Sequence, residues 1–458
     1  MRCRSRWFHC SSLGSFEMTP AARLSAAIEV LETIETQRIP AAQALKEWGT
    51  SHRFAGSGDR AAIAGLVWDV LRRRASSGWI MDADTPRARI LGMLKLERGM
   101  DMPAIASLCD GNRFAPHPLT EAERVALTSR SLEDAPDPVA GDYPEWLDPY
   151  LATVFGDERV AEAAAMASRA PLDLRVNTLK AKREKVLASL AHLDAVPTPW
   201  SPFGLRIRLS ADARNVGIHG EEAFIKGFVE VQDEGSQLAA LFSAAKPGEQ
   251  VVDLCAGAGG KTLALAAMMQ GRGRLIATDG DKRQLAPIHA RLARAGVHNA
   301  EVLTPKGAAD PLADIKASAD LVVIDAPCSG TGTWRRNPDA KWRMRPGALE
   351  IRLKDQVEVL DRAAAMVKPG GRIAYITCSV LKPDNSDQVR AFVARHGDFS
   401  IAPPAETVAV LGDKADDFAK AALQAPEGWL MTPRRTGTDG FFVSLLRRAQ
   451  STSRERLS

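Results

Sequence analysis

The sequence predicts an α/β protein whose C-terminal half is a doubly wound, mostly parallel sheet, preceded by an all-helical segment and a small α/β segment. Three observations predict it. Apolar residues recur at helical spacing between residues 18 and 130, with no strand-like run among them. Short runs alternating apolar and basic residues follow after residue 145. From residue 229 short apolar runs alternate with helical stretches, the rhythm of strand–helix–strand units. A length of 458 residues allows roughly three domains, and 45% hydrophobic with 25% charged residues is a globular composition. A net charge of +4 excludes a histone-like basic tail and an acidic solvating chain. The six cysteines contain no C-x-x-C pair and form no disulfide framework, and no apolar run approaches the roughly 20 residues that span a bilayer.

The first stretch, to Met18, is basic but lacks an apolar core, so it is not a secretory signal. Residues 1–17 read as a disordered tail, and Met18, just ahead of a helix, reads as an alternative start. That helix has Thr19 as N-cap, Pro20 at its first position, and Leu24, Ile28, Leu31 and Ile34 on one face. A second carries Ile63, Leu66, Val67, Val70 and Leu71 on its apolar face and Arg60, Arg72, Arg73 and Arg74 on the other. Those arginines read either as a solvated face or as an RNA contact. The helical domain is expected over residues 18–135, closing in the Pro/Asp/Gly-rich stretch 133–144.

Residues 145–228 are expected to form a small α/β domain. In Leu174-Arg-Val-Asn177 and Leu205-Arg-Ile-Arg-Leu209 the alternation puts Arg175, Arg206 and Arg208 on one solvent face, as plain surface or an RNA platform. Residues 229–448 carry the large sheet. Its strands are expected at 251–254, 275–278, 321–324 and 372–377, and its helices start at Lys261, run from Lys282 to Ala295, and cover 349–367 up to the stop Lys368-Pro-Gly-Gly371. Residues 321–324 are wholly apolar, as in a strand buried on both faces. Residues 449–458 read as a second disordered tail.

Chemistry concentrates at three turns. Cys255-Ala-Gly-Ala-Gly-Gly-Lys-Thr262 lies where the first strand of the sheet becomes a helix, and Asp279 follows Gly260 by nineteen residues at the end of the second strand. Glycines let a ligand approach the backbone, the helix start offers free N–H groups, and the acid suits a ribose diol. A phosphate-binding G-x-x-x-x-G-K-T loop would need Gly where Cys255 stands, and a dinucleotide G-x-G-x-x-G fits only by half. S-adenosylmethionine (SAM) is the remaining common ligand. Asp325-Ala-Pro-Cys328-Ser-Gly-Thr-Gly332 and Thr377-Cys378-Ser379 each follow a buried strand, so both thiols lie at the edge where open sheets bind ligands. Inert buried thiols, a Cys328–Cys378 disulfide and a zinc site are the competing readings. The last lacks ligands at metal spacing, so no metal is expected. Two thiols beside a SAM loop suit cytosine methylation, in which one thiolate adds to carbon 6 and a second group removes the carbon-5 proton.

These motifs, with Arg335-Arg-Asn-Pro-Asp339, Val231-Gln-Asp-Glu-Gly-Ser236 and Asp439-Gly-Phe-Phe442, resemble the Nop/Sun family of RNA cytosine-C5 methyltransferases. The helical start resembles the NusB-like domain fused to the bacterial RsmB (Sun/Fmu) branch. The resemblance implies a Rossmann-like SAM methyltransferase sheet, with Cys378 as nucleophile, Cys328 as the base that assists release, Asp325 hydrogen-bonding the cytosine, and Lys261 supporting that edge. It implies that Cys255, Ala256, Gly257, Ala258, Gly259, Gly260, Lys261, Asp279 and Asp325 hold SAM. RNA, specifically ribosomal RNA, is the implied partner of a cytoplasmic monomer with no membrane contact. Two departures stand out. Ala258 replaces a proline frequent in that loop, and the third strand leads into Val302-Leu-Thr-Pro-Lys-Gly307, with Asp310 the nearest acid for the adenine. Arg335, Arg336, Lys341, Arg343 and Arg345, beside Trp334 and Trp342, are expected to bind single-stranded RNA, or else to form an exposed charged loop. Two other readings remain: a DNA cytosine methyltransferase using Cys328, for which a Glu-Asn-Val element is lacking, and a non-catalytic RNA-binding assembly factor.

Overall fold

The computed structural model describes residues 17–209, 216–305 and 312–450. Cys3, Cys10, Asp310 and nearly all of both expected tails lie outside these residues. The chain divides into two compact units, residues 1–135 and 136–458.

The first unit holds α1 (Pro20–Gln37), α2 (Ala41–Ser51), α3 (Ser57–Arg72), α4 (Arg74–Met81), α5 (Pro86–Leu96), α6 (Met102–Leu108) and α7 (Glu121–Ser129). Among its described residues there is no strand. Side chains start the helices where the sequence places them: the Ala22 amide donates to the Thr19 hydroxyl, and Thr120 and Glu123 form a capping box on α7. Leu24, Ile63, Val67, Val70 and Ile90 are buried, each such side chain stabilising the fold by about 1.5–3 kcal/mol. Of the expected arginine face only Arg60 is exposed. Arg72 is buried against Asp69, Arg73 pairs with Glu97, Arg74 with Glu35, and the exposed Arg60 donates to the Ala55 carbonyl. Arg73 and Arg74 find acidic partners outside their own helix, which helical periodicity does not register, whereas Arg72 meets Asp69 one turn back on α3.

The second unit carries two sheets. Strands β1 (Leu172–Val176), β2 (Val196–Pro197), β3 (Gly204–Ile207) and β4 (Val229–Val231) form the smaller, antiparallel one, in the order β2-β3-β1-β4. Here the expected solvent face fails. Arg175 is buried and donates to Gln232, and Arg206 makes a two-pronged pair with Asp173 (2.7 and 2.8 Å). Only Arg208 is exposed. The start of helix Glu234–Phe242 covers that face, its Glu234 amide donating to the same Asp173.

The larger sheet contains β5 (Gln250–Asp253), β6 (Arg274–Ala277), β7 (Ala300–Val302), β8 (Ala319–Asp325), β9 (Val367–Thr377), β10 (Phe399–Ile401), β11 (Leu423–Ala425), β12 (Gly428–Met431) and β13 (Phe441–Arg448). Its order is β11-β12-β13-β9-β8-β5-β6-β7, with β10 on β13. From β9 to β7 every pairing is parallel, and β13 returns antiparallel to β9. Both faces are covered. Val322, Ile324, Ile373 and Tyr375 join the core on one side, and Leu321, Val323, Ala374 and Ile376 the core on the other, the period-two split of a doubly wound sheet. Three boundaries differ from expectation. Val229–Val231, expected to open the large-sheet domain, is instead β4 of the smaller sheet, where it pairs antiparallel with β1. The helix expected from Lys282 to Ala295 is broken into Lys282–Leu285 and Ile288–Ala295, because Pro287 lacks the N–H that would continue the helical hydrogen-bond ladder. Residues 368–371, expected only to stop the preceding helix, already belong to β9, across a register irregularity opposite Ala319 and Leu321.

Candidate active site

β8 and β9 lie side by side with Asp325 opposite Ile376, so the turns that leave them emerge together. Cys328 lies three residues beyond β8 and Cys378 is the first residue beyond β9. Their sulfurs are 3.5 Å apart, both thiols are free, and both residues are half-buried. The turns are stitched into place. The Gly332 amide donates to the Cys378 carbonyl (3.0 Å), and the Gly440 amide, from the segment before β13, donates to the Gly332 carbonyl (2.8 Å). The hydrogen bond shared with Cys378, reinforced by burial, holds the Cys328 thiol well above its ordinary range, so Cys328 rests protonated.

Lys261 opens helix Gly260–Met268 from below this edge. Its buried ammonium sits 2.7 Å from Asp325, 3.4 Å from the Ser236 hydroxyl and 5.1 Å from the centre of the Phe441 ring. At this edge Cys328 meets Cys378, and Lys261 meets Asp325.

The glycine turn lies alongside. Gly259, at φ +85°, sits so close to Ile288 that an added Cβ would come within 2.5 Å of it. Only glycine meets both demands there. Asp279 reaches from the end of β6 and accepts from the Gly257 amide (2.9 Å), and Arg291 donates to the Ala258 carbonyl (2.7 Å). Asp253 is buried, with one carboxylate oxygen taken by Thr262 (2.6 Å) and the other without a partner. Burial, opposed by Thr262 and aided by the charge of Asp325, pushes Asp253 up to about 7. Burial likewise pushes the Cys255 thiol upward, with Asp253, Asp279 and Asp325 adding to it, so Cys255 stays neutral. The expected SAM, with a sulfonium and an ammonium against one carboxylate, carries net positive charge. Three carboxylates around a single lysine, one of them holding an orphaned oxygen, suit such a cation.

The basic loop behaves differently from expectation. Trp334, Arg335 and Lys341 are buried. Arg335 and Arg336 both pair with Asp233 and Asp439, closing a four-membered ionic clamp between three segments. Lys341 lies over the rings of Trp334 (5.7 Å) and Trp342 (4.9 Å). Arg343 and Arg345 alone of the five remain exposed. Sequence reasoning also passed over Asp384, Asn385 and Gln356, which brace the two cysteine turns. Their only local signal is the turn-forming Lys382-Pro-Asp-Asn385, which announces a bend and not its partners.

Comparison with known proteins bears on this geometry. Residues 240–447 match the family described as 16S rRNA methyltransferase RsmB/F, and residues 143–214 match the RsmF/B-like ferredoxin-like domain. Ribosomal RNA small subunit methyltransferase B of Sodalis glossinidius is 34% identical over 302 residues, spanning 66% of this chain and 65% of that protein. A Synechocystis protein named "Probable ribosomal RNA small subunit methyltransferase B" is 27% identical over 424 residues, spanning 85% and 92%. Among solved structures, PH0851 superposes with a TM-score of 0.70 at 25% identity, covering 94% of this chain and 99% of its own. A methyltransferase homolog protein from Pyrococcus horikoshii gives 0.54 at 25% identity, covering 68% and 97%.

Proposed function

This chain is an RsmB/Sun-like member of the Nop/Sun methyltransferase family, and from that premise we propose that it transfers a methyl group from SAM to carbon 5 of a cytosine in ribosomal RNA. The observation that carries the reading is the pair of free thiols 3.5 Å apart at the ligand edge of the sheet, beside the Lys261–Asp325 pair.

Carbon 5 of cytosine is a poor nucleophile. The Cys378 thiolate adds to carbon 6 and turns the ring into an enamine whose carbon 5 can attack. Bound SAM supplies an electrophilic methyl group on its sulfonium. Cys328 then takes the carbon-5 proton, and carbon 6 releases Cys378 as the double bond re-forms. The order of events suits the electrostatics. While Cys378 is free, its hydrogen bond and charge keep Cys328 protonated. Once Cys378 is bound to carbon as a neutral thioether, that restraint disappears, the Cys328 thiol gives up its proton to solvent, and the resulting thiolate is the base at the stage that needs one. Lys261 holds the Asp325 carboxylate against the ring and places a cation beside the charge that develops there. The target base must leave any stack to reach two thiols set this deep.

The remaining assignments belong to the same reading. The helical part, residues 18–135, and the small α/β part, residues 145–228, serve RNA binding, and residues 229–448 carry the chemistry. Arg60, Arg208, Arg343 and Arg345 are the exposed cations of the predicted RNA contacts. The protein acts as a cytoplasmic monomer. No helix among the described residues is long and apolar enough to cross a membrane.

Small-subunit ribosomal RNA transcribed in vitro, with radiolabelled SAM, tests the assignment. Cys378→Ala abolishes methyl transfer. Cys328→Ala accumulates a covalent enzyme–RNA species that survives denaturing electrophoresis. Full turnover by Cys378→Ala would refute the proposal, and bisulfite sequencing of total RNA from a deletion strain locates the cytosine.

A further inference from the structure

The two cysteine turns are joined below the surface by a side-chain junction. Gln356, on helix Pro346–Met366, donates from Nε2 to the Pro327 carbonyl (2.9 Å) and to one oxygen of Asp384 (2.8 Å). The other Asp384 oxygen accepts from the Ser379 hydroxyl (2.6 Å). Pro327 immediately precedes Cys328 and Ser379 immediately follows Cys378, so one acid side chain and one amide bridge the two cysteine-bearing turns. Ser379, Asp384 and Gln356 are fully buried. Both partners of Nε2 are acceptors, which fixes the orientation of the amide.

Further hydrogen bonds brace the junction, while the Gln356 side-chain oxygen is buried without one. Ser379 Oγ lies 2.9 Å from the Ser329 hydroxyl and 3.1 Å from that of Thr331, and it accepts from the Leu381 amide. Tyr375 donates to the Asp384 carbonyl (2.7 Å), and Asn385 donates to the Ser379 carbonyl (2.9 Å). No cation pairs with Asp384 among the described residues, and its charge adds to the forces that hold Cys328 protonated, after the Cys378 hydrogen bond, burial and the Cys378 charge.

We propose that Asp384, acting through Gln356 and Ser379, is the positioning residue of the two-thiol site: it sets the separation of Cys328 and Cys378. It touches neither substrate nor cofactor. The proposal rests on the methyltransferase reading for its consequence in turnover, while its geometry and electrostatics are measurable on the free enzyme.

Two readouts on the full-length enzyme need neither RNA nor SAM. The first is the pH dependence of iodoacetamide alkylation at each cysteine, followed by mass spectrometry of its peptide. Asp384→Asn keeps the side-chain shape and removes the acid, and moves the Cys328 midpoint to lower pH. The second is the rate of Cys328–Cys378 disulfide formation with diamide, in which the two thiols each lose a hydrogen and the reagent's N=N bond gains both. Gln356→Leu keeps the volume and the Asp384 charge but cuts the tie to the Cys328 turn, and slows this closure about tenfold while leaving the Cys328 midpoint in place. Ser379→Ala, acting from the other turn, slows closure likewise. In methylation assays both Asp384→Asn and Gln356→Leu lower kcat with little change in KM for RNA. Unaltered midpoints and closure rates in folded variants would overturn the proposal, as would thermal destabilisation with neither change. If the wild-type enzyme methylates no RNA, the proposed function falls, whereas the thiol measurements still decide the role of Asp384.

Discussion

At the scale of single residues, identity sets what a side chain can do and its neighbours set what it does. Arg335 and Arg345 read alike in sequence, both in a basic, tryptophan-flanked stretch. One is nine-tenths buried between two carboxylates and the other is exposed. Arg335 therefore acts as a structural clamp. Arg335→Ala leaves Asp233 and Asp439 sharing the single cation of Arg336, and an uncompensated buried charge costs about 3–5 kcal/mol. Calorimetry should register a loss of that order, whereas Arg345→Ala should leave the melting temperature unchanged and weaken RNA binding. Lysine at position 335 should rescue poorly, since it lacks the planar fork that reaches both acids.

At the scale of elements, the site depends on three segments meeting at a point too tight for a side chain. A Cβ on Gly332 would lie 2.0 Å from the Gly440 carbonyl oxygen and 2.7 Å from its Cα. Backbone occupies that space, and it cannot swing aside as a flexible side chain would. Gly332→Ala should push the Cys328 turn away from the segment before β13 and from the Cys378 carbonyl. The expected cost is about 1–3 kcal/mol in urea unfolding, and the methylation rate should fall roughly a hundredfold, since misplacement by an ångström has that effect. SAM binding, measured by calorimetry, should persist, because the glycine turn of residues 255–261 follows a different strand. Strand and helix periods locate these segments, but they say nothing of the 3.0 Å and 2.8 Å amide bonds that tie one to the next.

At the scale of the whole molecule, burying carboxylates at the ligand edge makes stability depend on pH. Asp253 is raised in the folded protein to about 7, chiefly by burial. A raised carboxylate favours the folded state below its unfolded pKa, and that contribution is lost as pH climbs through the folded value. Between pH 5 and 7 the ligand-free protein should therefore lose roughly 2–3 kcal/mol through this one group. In denaturant melts Asp253→Asn should remove that part of the slope, so the variant gains on the wild type as pH rises. An unchanged difference across the range would show that Asp253 is charged at no cost. The sequence by itself determined the architecture, because periods of 3.6 and 2 and the glycine turns are local properties: the all-helical start, the doubly wound sheet, and the four residues Lys261, Asp325, Cys328 and Cys378 at its edge were all legible. Tertiary structure alone decided which cations are free, what braces the thiols and which acids are raised. Arg72, Arg175, Arg335 and Lys341 were expected at the surface and are buried, while Asp384 and Gln356 drew no notice and bridge the two cysteine turns. Burial and pairing join residues far apart in the chain, and their energies depend on distances that no local pattern encodes.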